Sequence, residues 1–137
     1  MHLHMIKLCV GIDNVEELEA WRRSVAHAEP QWRMRTRQTP KRAAELVEGG
    51  SLYRVMKGVV LCRQRILAVE TVGEGVAARC EVVLDPVVVR TAPAPRRPFQ
   101  GWRYLLAKDA PVDLSGGDEL EAMPMELAVK LRELGAW

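Results

Sequence analysis

Residues 51–72 read SLYRVMKGVVLCRQRILAVETV. Apolar and polar residues alternate with a period of two, which places successive side chains on opposite faces of a strand. Lys57-Gly58 divides the stretch into two strand-like runs, 51–56 and 59–72, that meet at a turn. The second run is long enough to bend across a small barrel. Extended structure continues downstream. GEG at 73–75 is a turn, 76–84 (VAARCEVVL) is a strand, Asp85-Pro86 interrupts it, and VVVR resumes it. APAPRRP at 92–98 carries three prolines and is stiff and extended. GWRYL at 101–105 is the last strand of the series.

Upstream, the pattern differs. Residues 2–10 read as a first strand. Asp13 or Asn14 caps a helix with Glu16 and Glu17 in its first turn. Val15, Leu18, Trp21, Val25 and Ala28 form its apolar face, and Pro30 ends it. WRMRTR at 32–37 alternates strictly, with Trp32, Met34 and Thr36 on one face and Arg33, Arg35 and Arg37 on the other. TPKRAAELVEGG is a compact helix: Thr39 at the N-cap, Pro40 first, and Gly49 or Gly50 at the left-handed exit. The order is β-α-β-α followed by four or five strands in series. That argues for an α+β fold rather than a doubly wound parallel sheet. The expected architecture is a small bent or closed β-barrel with two N-terminal helices and a C-terminal helix. The helix after Pro124 carries the stripe Leu127, Leu131 and Leu134 and ends at Gly135. The reading is thus a single α+β domain over 1–114 and a helical appendage over 115–137.

With 137 residues, the chain suffices for one domain with a real core. Its 48% hydrophobic and 28% charged residues argue against disorder. No apolar run approaches the roughly 20 residues of a membrane helix. The start MHLHMIKLCVG has no basic n-region and no long apolar run, so it reads as a strand and not a signal peptide, with the cytoplasm as the expected compartment. Cys9, Cys62 and Cys80 form no C-x-x-C pair and read as buried free thiols. His2 and His4 share a strand face, with only His27 left to complete a metal site, so they read as part of a plain edge strand and no metal is expected. No nucleophile elbow, zincin or phosphate-loop motif is present, and neither catalytic residues nor cofactors are expected.

Charge is unevenly distributed. Residues 31–104 hold fourteen basic and six acidic side chains, a surplus of eight, between acidic ends. Either the ends fold back on this basic body, or the body meets an anionic partner. Arginine supplies fifteen of the twenty positive charges and suits phosphates and carboxylates. Arg33, Arg35 and Arg37 share a face, and Lys41 and Arg42 follow at the next helix start. There an anion would relieve the conflict between cations and the helix dipole. Arg63 and Arg65 share a strand face, with Gln64 opposite. In RRPFQGWRYL, residues 96–105, three of the chain's seven aromatics (Phe99, Trp102 and Tyr104) lie among Arg96, Arg97 and Arg103. Arginine interleaved with aromatics is how single-stranded nucleic acid is held. It is also how a small core is plugged.

PKRAAELVEGGSLYRVMKGVVLCRQRIL, the LDP at 84–86 and above all RPFQGWRYL resemble an uncharacterised family of alphaproteobacterial proteins of about this size, over roughly residues 3–114. That resemblance implies no activity, and the tail after residue 115 reads as this chain's own or as a variable end. More loosely, a helix ending in Gly-Gly, then SLYRVMKG and a strand to CRQRIL, is similar to the layout of PUA-like domains with their ASCH and EVE relatives. The resemblance implies a small β-barrel that binds RNA or modified bases. TPKRAAEL echoes only part of the ASCH Lys-Glu-Arg pattern, so no base-processing role is carried over.

The expectation is an RNA- or nucleic-acid-binding module without chemistry. Arg33, Arg35, Arg37, Lys41 and Arg42 hold phosphates. Trp102 and Tyr104 stack on a base, which Arg96, Arg97 and Arg103 orient. Arg63 and Arg65 add positive charge, and Gln64 reads a base edge if it lines the pocket. Two alternatives stand beside it. One is an enzyme acting on a nucleotide-like anion, which a cleft holding a carboxylate or Cys62 would favour. The other is a homodimer built on Leu127, Leu131, Leu134 and Trp137.

Overall fold

The computed structural model describes residues 2–26, 28 and 31–114. Strand β1 is Leu3–Leu8, helix α1 is Val15–Val25, β2 is Trp32–Thr36 and α2 is Ala43–Val47. Strands β3 (Ser51–Met56), β4 (Val59–Val72), β5 (Arg79–Leu84), β6 (Val89–Pro95) and β7 (Trp102–Leu106) follow. Short 3-10 turns lie at Gly75–Ala77 and Ala107–Asp109. The fold is α+β, with one seven-stranded sheet in the order β2-β5-β4-β3-β1-β7 and β6 paired to β4.

The β3–β4 hairpin forms as its sequence requires. Lys57 and Gly58 both take positive φ, 50° and 78°, the tight-turn geometry that matches the twist of the flanking strands. β4 then pairs with β3 and β6 through its first half and with β5 through its second. β5 and β6 are therefore two halves of one returning arm, both antiparallel to β4. The break between them is Asp85-Pro86. The Asp85 carboxylate accepts from the Val87 N–H at 2.8 Å while the Asp85 N–H donates to the Arg65 carbonyl at 2.9 Å. Beyond its ladder with β4, β6 is bridged among the described residues only at its start, where Thr91 pairs with Asp113, so Pro93 and Pro95 lie past that second pairing. β1 lies parallel to β3 and antiparallel to β7.

Asn14 caps α1, its side chain accepting from the Glu17 N–H at 2.8 Å, while the Glu17 carboxylate accepts from the Asp13 N–H at 3.0 Å. Val15 and Leu18 are buried as expected, but Trp21 is 45% exposed and Arg22 is buried beside them. α2 is shorter than expected. It begins at Ala43, and Thr39 instead places its hydroxyl 3.2 Å from that of Thr71. Gly49 makes the left-handed exit at φ 90°. At Gly50 a Cβ would lie 2.2 Å from the Leu3 carbonyl oxygen and 2.4 Å from that of Leu46. Both obstacles are backbone. Gly50→Ala is expected to cost about 2–3 kcal/mol, read by urea denaturation.

The sheet buries residues on both faces. On the inner face Leu3, Met5, Leu52, Met56, Cys62, Ile66 and Val82 pack with Leu18 and Leu46 of the helices and with Trp32. On the outer face Ile6, Tyr53, Val55, Val60 and Leu105 form a smaller cluster under Phe99 and Ala110. Cys62 and Cys80 are buried free thiols, and Cys9 is half-buried.

The expected barrel does not close. The sheet path ends at β2 and β7, which are not paired with each other. The C-terminal helix, the stripe Leu127, Leu131, Leu134 and Trp137, and the appendage 115–137 lie outside the described residues, as do His27 and Pro30. No helix among the described residues is long and apolar enough to cross a membrane.

Candidate functional site

Where the two end strands face one another, a cleft of about 730 Å³ opens. Its walls are Lys7 of β1, residues 35–38 of β2 and beyond, and residues 100–104 leading into β7. Lys7, Arg35, Arg37 and Arg103 bring four cations to it, and Trp102 and Tyr104 two aromatic rings. Among the described residues, no carboxylate, cysteine or histidine is in the lining.

Strand pairing builds this arrangement. Trp102 lies opposite Lys7 and Tyr104 opposite Met5 in the β1–β7 ladder, so both rings share the inner face with Lys7. They meet edge-to-face, centroids 5.0 Å apart, and each rests partly against the main core. The Tyr104 hydroxyl accepts from the backbone N–H of Arg42 at 3.1 Å, and the Arg42 guanidinium stacks on the Tyr104 ring at 5.8 Å. Arg103 is steadied by the Gln100 and Trp102 carbonyls, 2.9 and 3.1 Å away, and by the Phe99 ring. Arg35 is held through Nε by Glu81 at 2.9 Å.

The sequence-predicted residues divide among several places. Arg35, Arg37, Trp102, Arg103 and Tyr104 converge on the cleft, with Arg42 at Tyr104. Arg33 does not join them. It is neutralised by Glu70 and Glu81 at 2.8 and 2.9 Å. Arg42 is paired with Glu45, and its helix start is not an anion site, because its N–H already serves Tyr104 and α2 has only five residues. Lys41 is exposed beside it. Gln64 is fully buried, accepting from Arg54 Nε at 2.7 Å and donating to the Asp85 carbonyl at 3.1 Å, so it does not present an edge to a base. Arg96 donates to the Asp109 carbonyl at 3.0 Å, and Arg97 is exposed.

Arg63 and Arg65 belong to the other face of the sheet. They line a concavity of about 680 Å³ with His2, His4, Tyr53 and Asp113. Arg63 makes two 2.7 Å contacts to Asp113 and one of 2.8 Å to the Ser51 hydroxyl. That guanidinium holds the Asp113 carboxyl below its ordinary range. His4 Nδ1 accepts from the Ser51 N–H at 3.0 Å, which leaves the ring proton on Nε2. Burial first, then the charges of His2 and Arg63, push His4 below its ordinary value. Unfolding restores a value near 6.5. The unfolded chain therefore takes up this proton first. Stability is expected to fall as pH drops from about 6.5 towards the folded value, then to level off. Thermal melts between about pH 8 and pH 5 should show this decline, and His4→Gln should flatten it. Among the described residues no three His, Cys, Asp or Glu gather to hold a metal.

The acidic ends do fold back in part. Asp13 meets Lys57, Glu16 and Glu19 meet Arg90, and Asp113 meets Arg63. None of these pairs is in the cleft. Burial pushes the Cys62 thiol up to about 12, which keeps it protonated and unreactive.

Two functional candidates were missed in the sequence. Lys7 reaches the cleft only because β1 pairs with a strand some 95 residues later, which no local pattern signals. Arg54 is buried inside the sheet, where alternation alone marks an apolar position.

No curated protein and no solved structure matches the chain. A family model described as a protein of unknown function, DUF1489, matches residues 5–137. The match includes the tail, which is therefore not this chain's own addition. Spanning nearly all of its length, the match makes this chain a member of the DUF1489 family.

Proposed function

We propose that the chain binds RNA or another single-stranded nucleic acid in the cleft between β2 and β7, without chemistry. One observation carries the reading: four cations and two aromatic rings share a lining that, among the described residues, holds no carboxylate. Within the cleft only Arg35 is paired with a described carboxylate, that of Glu81, whereas elsewhere Arg33, Arg42, Arg63 and Arg90 are all neutralised within the fold. Phosphates would meet Arg37, Lys7 and the free edge of Arg35, and a base would lie against Trp102. A PUA-like reading of the sheet belongs to the same proposal, with the cleft as the unclosed seam of a barrel. The enzyme alternative gains nothing from this lining, whose described residues supply no carboxylate, histidine or thiol for acid–base or nucleophilic work.

The test is Trp102→Ala. It is expected to weaken binding of a mixed single-stranded RNA by about 1–3 kcal/mol, roughly 5- to 150-fold, as removal of a stacking ring does. Equal affinity in a folded variant would refute stacking at this position.

A further inference from the structure

A second concavity, of about 440 Å³, opens where the chain leaves β1 and passes under α1 and β2. Cys9, Ile12, Trp21, Trp32, Arg33 and Arg54 are among its walls. Its volume lies within the range that small-molecule sites occupy.

Arg54 distinguishes it. The residue is only 9% exposed. Yet among the described residues no carboxylate lies within ion-pair distance of it, whereas Arg33 in the same lining has two. A guanidinium taken out of water without a counter-charge is strongly disfavoured. The partners of Arg54 are neutral. Nε donates to Gln64 at 2.7 Å, Nη1 faces the Cys9 sulfur at 3.9 Å, and the Trp32 ring centroid lies 5.3 Å from Cζ. Gln64 is itself anchored on the Asp85 carbonyl, so the guanidinium is held in one orientation. Arg22 stacks on the same indole, also at 5.3 Å. Beside them Trp21 is an aromatic surface left 45% open to solvent, its ring 6.1 Å from Trp32.

An oriented, buried cation beside an open aromatic wall selects for one kind of ligand. We propose that this pocket binds a small molecule carrying one anionic group, a carboxylate or a phosphate, on a planar aromatic body. The anionic group meets Arg54, and the ring lies against Trp21. The site is separate from the cleft: of the two linings, only the cleft contains Trp102 and only this one contains Trp21 and Arg54.

The test titrates the full chain with adenosine 5′-monophosphate, benzoate and inorganic phosphate by calorimetry and tryptophan fluorescence. One aromatic anion is expected to saturate at one per chain, about tenfold or more tighter than phosphate alone. Preference for the nucleotide would mark a phosphate ligand, and preference for benzoate a carboxylate. Trp21→Ala, at a half-exposed position that should fold, is expected to weaken binding about fivefold or more. Arg54→Lys, which keeps the charge but loses the fork, should weaken it about tenfold. Trp102→Ala should leave it unchanged, so failure here and failure of the nucleic-acid reading are distinguishable. The proposal is overturned if neither aromatic anion saturates by about 10 mM. It is equally overturned if binding survives Trp21→Ala and is lost in Trp102→Ala.

Discussion

Replacing Lys7, Arg37 and Arg103 together by glutamate is expected to lower affinity for single-stranded RNA by about a thousandfold or more at low salt. The two lost phosphate contacts, at Lys7 and Arg37, should also reduce the salt slope, by about 0.7 each for a single strand and so about 1.4 together. Lys7 and Arg37 make no ion pair with a described carboxylate, and Arg103 holds only two carbonyls and the face of Phe99. Folding therefore has little to lose from the reversal. Arg33→Gln is the matched control. That guanidinium is already held by Glu70 and Glu81, so its loss should leave binding almost unchanged. Circular dichroism establishes that both variants fold, and anisotropy reads their affinity. A triple variant that binds like the parent would place any nucleic-acid surface elsewhere.

Trp32→Ala should be the most destabilising single change. The ring is 4% exposed in the main core, touches Trp21, and supports two stacked guanidiniums, those of Arg22 and Arg54. Removing a buried aromatic costs about 3–5 kcal/mol. Here two buried cations also lose the face they rest on, so the upper end is expected. For a domain of ordinary stability that is a large share of the total and a fall in Tm of roughly 10–20 °C. Urea and thermal denaturation measure it. A cost below about 1 kcal/mol would contradict the central place given to this residue. The contrast with Trp102→Ala is informative: one tryptophan holds the fold, while the other rests partly on it and opens on the cleft. Phe99 belongs with the first kind, packed over the outer cluster. The aromatic concentration at 99–104 thus serves both faces of the sheet.

What was legible in the sequence was local. The Lys57-Gly58 turn, the extent of β4, the Asp85-Pro86 break, the Asn14 cap and the Gly49 exit all depend on neighbours within a few residues. What was not legible depends on distant partners. Whether Arg33 is free turns on Glu70 and Glu81 lying across β2, β5 and β4, and whether Arg63 is free turns on Asp113. Pairing of β1 with β7 put Lys7 beside Trp102, and the period-two pattern that marks each strand cannot name its partner. Gln64 shows the same limit. Alternation set it opposite Arg63 and Arg65, but only the folded sheet shows that opposite means inside. Nor does a strand series indicate closure, because whether two end strands pair depends on curvature accumulated along the whole sheet.

The most direct test of nucleic-acid binding in the cleft is fluorescence anisotropy of a mixed single-stranded RNA with the full chain, at about 50 and about 200 mM salt. The account predicts saturable binding that weakens steeply between the two, and that is abolished when Lys7, Arg37 and Arg103 are reversed in a folded protein. Absence of binding at the lower salt would contradict it.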